Sequence, residues 1–139
     1  MHHSTRCDAR PVRHFQDREG VGEVKVNRFA EVAKYAAPNH HDCSSFRLQG
    51  WEASESEHFW VGLSHFLPGG GASHEATPLE KVYVVISGEV TVVTDGGETT
   101  LKAFDSCHIP PNEARTVSNR SNHPATMLVV MPYPKGRGK

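Results

Sequence analysis

From His58 onward, apolar residues recur at every second position or in short continuous runs. The segments "HFWVGLSHFL", "VYVVISGEVTVV" and "ATMLVVMPYP" are rich in β-branched and aromatic residues, which is typical of strands. Glycine and proline separate these runs, and "TDGGET" contains the Asp-Gly pair that favours a hairpin turn. The pattern predicts seven or more short strands arranged as a sandwich or a barrel.

The first forty residues follow a different pattern. "VGEVKV", from Val21 to Val26, alternates and predicts a short strand. The following "NRFAEVAKYAAP" places apolar residues at helical spacing between Asn27 as N-cap and Pro38, and predicts a short helix. Residues 1–20 are polar and lack periodicity, so we expect a mobile arm, and "PKGRGK" predicts a frayed basic tail at residues 135–139. A single domain over residues 21–134 remains.

The composition limits the cellular compartment and the partners that we expect for this domain. The net charge of −1 provides no basic field for nucleic acid, and no apolar run is long enough to span a membrane. The three cysteines are scattered and odd in number, which favours a reducing compartment over a disulfide framework. We therefore expect a cytoplasmic protein without nucleic-acid or membrane partners.

Two segments carry a more specific pattern. The first segment is "PGGGASHEATPLEKVYVVISG", in which a histidine stands between glycines at both ends. The second segment is "FDSCHIPPNEARTVSN", in which Pro110 and Asn119 have the spacing of a known motif. Together they resemble the two motifs of the cupin superfamily, over the stretch from about His58 to Pro132. The resemblance implies an all-β double-stranded β-helix, or jelly roll, with a short N-terminal helix. It also implies a homodimer that covers sheet edges by sharing edge strands.

Metal-binding cupins hold the ion with two histidines and a glutamate from the first motif and one histidine from the second. Counting six residues back from Gly88 puts Lys81 at the glutamate position, and His74 and Ala76 at the two histidine positions. Arg115 takes the position of the histidine in the second motif. One ligand of four is retained, so the comparison implies a site rebuilt without a metal or other cofactor.

A rival register puts Glu80 rather than Lys81 at the acidic position and retains two ligands. It breaks the six-residue spacing, and a one-residue slip turns the side chain to the other face of the strand unless a bulge restores it. A metal-dependent, dioxygenase-like cupin that uses His74 with Glu75 or Glu80 therefore stays open as an alternative.

In the preferred register, His74, Lys81 and Arg115 point into one barrel, because strand faces alternate. Three potential cations repel a divalent metal ion and suit a small organic anion, for which Arg115 offers a planar fork. A lysine whose pKa is lowered by burial is able to act as a base, so we expect His74 and Lys81 to be catalytic. Tyr83 lies on the same strand face as Lys81 and is the third expected catalytic residue.

Two further histidines are expected to bind substrate together with Arg115. His65 continues the period-two row of Val61 and Leu63, and His108 precedes the Pro pair next to Ile109.

These expectations favour a metal-independent enzyme that acts on a small carboxylate or enolisable carbonyl compound by lyase, decarboxylase or isomerase chemistry. The partner is then a small anionic organic substrate. A non-catalytic cupin that binds or senses an anionic metabolite is the second alternative, because this fold serves many functions.

Overall fold

The computed structural model describes residues 22–136. The arm predicted at residues 1–20, and residues 137–139 of the predicted tail, lie outside the described residues. Within 22–136, no helix is long and apolar enough to cross a bilayer.

Strands account for almost all of the regular structure, as the apolar pattern predicts. In chain order they are β1 (Lys34–Tyr35), β2 (His40–Gln49), β3 (Phe59–Glu75), β4 (Lys81–Ser87), β5 (Glu89–Thr94), β6 (Gly97–Lys102), β7 (Ser106–Ile109), β8 (Arg115–Ser118) and β9 (Ala125–Pro132). The strands pair in the order β6-β5-β8-β3-β9-β4-β7, and β2 adds to β3 with β1 at its side. The expected all-β jelly-roll fold is confirmed.

The central strand β3 organises this sheet. Its first half pairs with β9 and β2, and its second half pairs with β8 and with the start of β2. All of these pairings are antiparallel. A strand of 17 residues is long for a globular protein, and its register opposite β8 shifts between Ala72 and Glu75.

The core fills the interior between the strands. The most buried side chains include Phe66 of β3, Val85 of β4, Val90 of β5 and Val117 of β8. Each belongs to an inward-facing row, since alternate residues of a strand point to opposite faces. Asn119 is fully buried beside them, and its side chain is held by hydrogen bonds at both ends.

The N-terminal elements differ from the prediction. The expected helix is reduced to a 3-10 turn at Phe29–Glu31, and Lys34 and Tyr35 pair with Phe46 and Ser45 of β2. Strand pairing therefore overrides a weak local helix preference. The strand expected at residues 21–26 is absent from the described residues 22–26.

Candidate functional site

A cavity of about 260 Å³ opens between the strands and is lined by aromatic, aliphatic and charged side chains. It is near the lower end of the volumes usual for small-molecule sites. Its ionisable lining residues are Tyr35, His40, Arg47, Glu75, Lys81, Tyr83 and Arg115.

The strand registers explain why these side chains converge. Tyr83 pairs with Val129, Val129 pairs with Gly62, and Gly62 pairs with Arg47. Paired residues share a face, so the four positions form one row across β4, β9, β3 and β2. A Cβ on Gly62 would lie 2.8 Å from the Trp60 ring. The glycine therefore leaves the space that this ring occupies.

Lys81 is a buried cation in the cavity, with 3% of its surface exposed. Its ammonium donates a hydrogen bond to the Thr77 hydroxyl at 3.2 Å. Burial lowers the pKa of Lys81, the nearby Arg115 guanidinium lowers it further, and Glu75 opposes both effects. The group is thereby made a better proton donor than an ordinary lysine.

Arg115 is the second buried cation, with 5% of its surface exposed. Its Nε donates to the Tyr83 hydroxyl at 2.8 Å, and Nη1 donates to the Ser73 carbonyl at 2.9 Å. Burial raises the pKa of Tyr83, although Arg115 acts against this shift. Among the described residues, neither Lys81 nor Arg115 forms a salt bridge within 4 Å of a carboxylate. Within residues 22–136, the cavity therefore holds two cations that have no carboxylate at ion-pair distance.

Glu75 and His40 add proton-transfer groups to the same cavity. Glu75 stands opposite Arg115 in the strand register. The Nδ1 of His40 lies 2.7 Å from the Pro38 carbonyl, which only accepts, so Nδ1 carries the proton. Burial lowers the pKa of His40, and Arg115 adds to the effect, so its ring is neutral near pH 7.

One wall of the cavity consists of Tyr35, Arg47, Trp51 and Trp60, which we call the aromatic rim. The centroid of the Trp60 ring lies 6.3 Å from that of Tyr35 and 6.5 Å from that of Trp51. The guanidinium carbon of Arg47 lies 4.4 Å from the centroid of Tyr35 and 5.1 Å from that of Trp51. Both distances are within cation–π range.

Three of the six expected site residues meet in this cavity, namely Lys81, Tyr83 and Arg115. His74 does not join them, because it is exposed and the register shift before Glu75 brings the neighbouring residue inward instead. The sequence-based prediction places His74 beside Lys81 and Arg115 because it assumes that side chains alternate regularly along β3. The register shift breaks this alternation.

His65 and His108 also lie away from the cavity. His65 contacts the Thr126 hydroxyl at 2.9 Å and packs edge-on against Phe46, on the opposite face of β3 from the inward Ser64 and Phe66. The exposed His108 pairs with Glu80 at 3.3 Å, so Glu80 also faces away. The apolar row that suggested an inward His65 belongs to the outer face of β3.

Two of the lining residues that the sequence analysis did not assign to the site lie at the end of a strand or in a turn. His40 starts β2 in a polar stretch, and Trp51 sits in the turn after β2. Neither position belongs to a periodic pattern; the sequence favours an exposed His40 and allows Trp51 as a packing residue or part of a pocket wall, without a role in chemistry.

The donor set does not fit a divalent metal ion. His40 and Glu75 are the imidazole and carboxylate of the described cavity lining, and Lys81 and Arg115 share the space. Across residues 22–136, no group of three or more histidine, cysteine, aspartate or glutamate residues is placed to hold an ion. Two ligands beside two cations are too few for the octahedral nitrogen and oxygen site that the cupin motifs imply.

Comparison with solved structures identifies the same architecture. The polyketide cyclase RemF from Streptomyces resistomycificus has a TM-score of 0.70 and 17% identity, over 78% of this chain and 79% of that chain. A cupin sugar phosphate isomerase from Silicibacter pomeroyi has a TM-score of 0.67 and 24% identity, over 80% of this chain and 76% of that one. At these identities the similarity concerns the fold.

Sequence identity is higher for a protein of Mycobacterium tuberculosis. The chain is 45% identical to a beta-D-galactosidase of Mycobacterium tuberculosis over 111 residues, which cover 80% of this chain and 96% of that protein. The family model described as cupin domain matches residues 62–131. With both motifs, the jelly-roll topology and this match in agreement, the chain belongs to the cupin family.

Proposed function

We propose that the cavity is the active site of an enzyme that acts on a small sugar, and that the reaction is hydrolysis of a β-D-galactoside. The observation that carries the proposal is a carboxylate, Glu75, and a proton-donating ammonium, Lys81, in one aromatic-walled cavity. The 45% identity to the beta-D-galactosidase, over nearly the whole of that protein, selects the substrate class.

The chemistry requires one group that accepts a proton and one that donates it. In the proposed reaction, Glu75 takes a proton from water as the water oxygen bonds to the anomeric carbon. The glycosidic carbon–oxygen bond breaks, and Lys81 gives its proton to the leaving oxygen. Glu75 then releases its proton to solvent and Lys81 takes one from solvent, so both groups return to their starting state and atoms and charge balance. Neutral His40 is a second base in the same cavity.

A second candidate reaction is proton transfer on a small carboxylate or enolisable carbonyl compound, in a lyase, decarboxylase or isomerase step. Two buried cations, with no carboxylate within 4 Å of either among residues 22–136, favour it. Arg115 and Tyr83 would hold the anion and stabilise a developing enolate, while Lys81 moves the proton.

Release of nitrophenol from p-nitrophenyl β-D-galactoside tests the first reaction. The protein is made in a host without its own β-galactosidase, and the matched glucoside serves as the alternative substrate. We expect turnover of the galactoside that falls at least a hundredfold in Glu75→Gln and Lys81→Met, in line with loss of general acid–base catalysis. Glu98→Gln and Lys102→Met remove the same charges from exposed positions and should retain activity.

Failure of the wild type to release nitrophenol above the buffer rate would overturn the hydrolysis proposal. Binding of small carboxylates without turnover would then favour the second reaction or a binding role. Solvent deuterium exchange at carbon atoms next to a carbonyl distinguishes those two, because a binding protein exchanges none.

A further inference from the structure

The aromatic rim is held in a conformation that the chain adopts only at an energetic cost. Trp51 has a φ of 51°, in the left-handed region that disfavours a bulky side chain. The preceding Gly50 has a φ of 84°, and a Cβ there would lie 2.5 Å from Trp60 Cβ and 2.6 Å from the Tyr133 hydroxyl. Only glycine therefore fits beneath the turn that carries Trp51.

A set of hydrogen bonds maintains this turn. The backbone N–H of Trp51 donates to the Tyr133 hydroxyl at 3.3 Å, and that hydroxyl donates to the Ser56 carbonyl at 2.7 Å. The N–H of Gly50 donates to the Ser54 hydroxyl at 2.8 Å. Backbone strain of this kind persists where surrounding contacts enforce it, and it is concentrated at ligand-binding positions.

Arg47 adds a guanidinium group to the same wall. Its guanidinium pairs with Glu52 at 2.9 Å and lies over the rings of Tyr35 and Trp51. Within residues 22–136, the Nε of Arg47 is buried and has no hydrogen-bond partner. A buried donor without an acceptor is costly, so a ligand oxygen at this place would stabilise the arrangement.

Ring faces and a guanidinium donor together suit a ligand that is flat or apolar on one side and carries oxygen atoms at its edge. Lys81, Arg115, Glu75 and Tyr83 come from β3, β4 and β8 and serve the reacting sugar in the proposed function. A glycoside has a second part, the leaving group, which must also be placed.

We infer that the aromatic rim is a second subsite that binds the ring attached to the anomeric oxygen of the galactoside, either an aryl group or a second sugar. This inference rests on the proposed function. Trp51 supplies the stacking face, and Arg47 donates to an oxygen of the bound ring. The subsite is a determinant of leaving-group specificity, and Trp51 is its main positioning residue.

Two thioglycosides that resist hydrolysis test the inference by calorimetry on the full chain. Methyl 1-thio-β-D-galactoside carries one ring, and phenyl 1-thio-β-D-galactoside carries two. We expect wild type to bind the two-ring probe roughly two- to tenfold more tightly, the range for aromatic pairs beyond simple burial. Trp51→Gly should remove this difference, and Trp51→Phe should restore most of it.

The variant is chosen so that it folds, because glycine adopts a φ of 51° without strain. Phe104 provides a matched control, since it is another aromatic residue with positive φ, at 70°, and is 81% exposed outside the cavity. Phe104→Gly should leave the preference for the two-ring probe intact.

The outcomes separate this inference from the function on which it rests. Equal affinity of wild type for both probes would overturn the second subsite and leave galactoside binding standing. Loss of both probes in folded Trp51→Gly would place Trp51 at the reacting sugar and also overturn it. If wild type binds neither probe, the proposed function and the subsite fall together.

Discussion

Burying Lys81 and Arg115 close together has an electrostatic cost, which appears as a lowered pKa of Lys81. Burial and the neighbouring guanidinium lower the pKa of Lys81, so the folded chain holds that proton less tightly than the unfolded chain. Between the lowered pKa and the ordinary lysine pKa, the free energy of unfolding therefore rises with pH. Below the lowered pKa, both states are protonated and the destabilising contribution is fully present.

A bound carboxylate should reverse this penalty, since it pairs with both cations. We expect D-galacturonate to raise the melting temperature of the wild type near neutral pH, because only the folded state contains the site. Above the lowered pKa of Lys81, the affinity should weaken by up to about tenfold per pH unit as the ammonium is lost. Differential scanning fluorimetry across pH, with calorimetry, measures both effects.

Arg115→Met should abolish the stabilisation by galacturonate, and Arg120→Met, at an exposed position, should retain it. If folded Arg115→Met responds to galacturonate as the wild type does, the guanidinium does not bind the anion.

Among the elements, the loop between β8 and β9 depends on one buried amide. The Asn119 Nδ2 donates to the Phe66 carbonyl at 3.1 Å and to the His123 carbonyl at 2.7 Å. Its Oδ1 accepts from the N–H of Ser121 at 3.1 Å and from the hydroxyl of Ser121 at 2.7 Å. This amide joins the loop to the middle of β3, and it is the last residue of the second cupin motif.

Asn119→Ala should lower the free energy of unfolding by about 2–4 kcal/mol, because it leaves buried carbonyl groups without their donor. Urea denaturation monitored by tryptophan fluorescence measures the change. Asn122→Ala removes the same side chain from an exposed position of the same loop and should shift stability by less than about 0.5 kcal/mol. Equal effects of the two changes would contradict the role given to the buried amide.

The strands also show which site residues can be placed from the sequence and why others cannot. Lys81, Tyr83 and Arg115 reach the cavity because side chains alternate regularly from Lys81 to Val85 of β4 and along β8, where the motif spacing identifies the inward positions correctly. His74 is misplaced because the irregularity in β3 changes which residues point inward, and nothing in "GGGASHE" marks it. A period-two sequence pattern predicts which side chains point inward in a regular strand, but it does not do so across a bulge.

The outer face of β3 accounts for the misplacement of His65. Leu63, Leu128 and Val84 are half-buried there, so both faces of the strands are apolar and the period-two pattern has no unique phase. The period-two pattern does not place Trp51, because this residue lies in a turn with a left-handed backbone conformation.

At the scale of the whole molecule, this apolar outer face and the edge strands β6 and β7 make association the expected state. We predict a homodimer formed through the outer face of β4, β9 and β3. Light scattering should give twice the 15.3 kDa mass of the chain. Leu128→Glu should yield monomers, since it places a charge in an apolar interface, whereas Lys102→Glu at an exposed strand end should remain dimeric.

A monomeric wild type would refute the dimer. A dimer that persists in Leu128→Glu would instead pair along its edge strands, the arrangement that the cupin motifs imply.

The long central strand β3 also affects the order in which parts of the chain fold. β3 pairs along its first half with β9, and His65 meets Thr126 across 61 positions of sequence. Such nonlocal pairing must close a long loop before it is stabilised, and topologies of this kind fold in milliseconds to seconds. On the ribosome, β3 is synthesised before β9, so its apolar faces stay uncovered until β9 has been made. The interval between the synthesis of these two strands is therefore the period in which this chain is most exposed to aggregation and most dependent on chaperones.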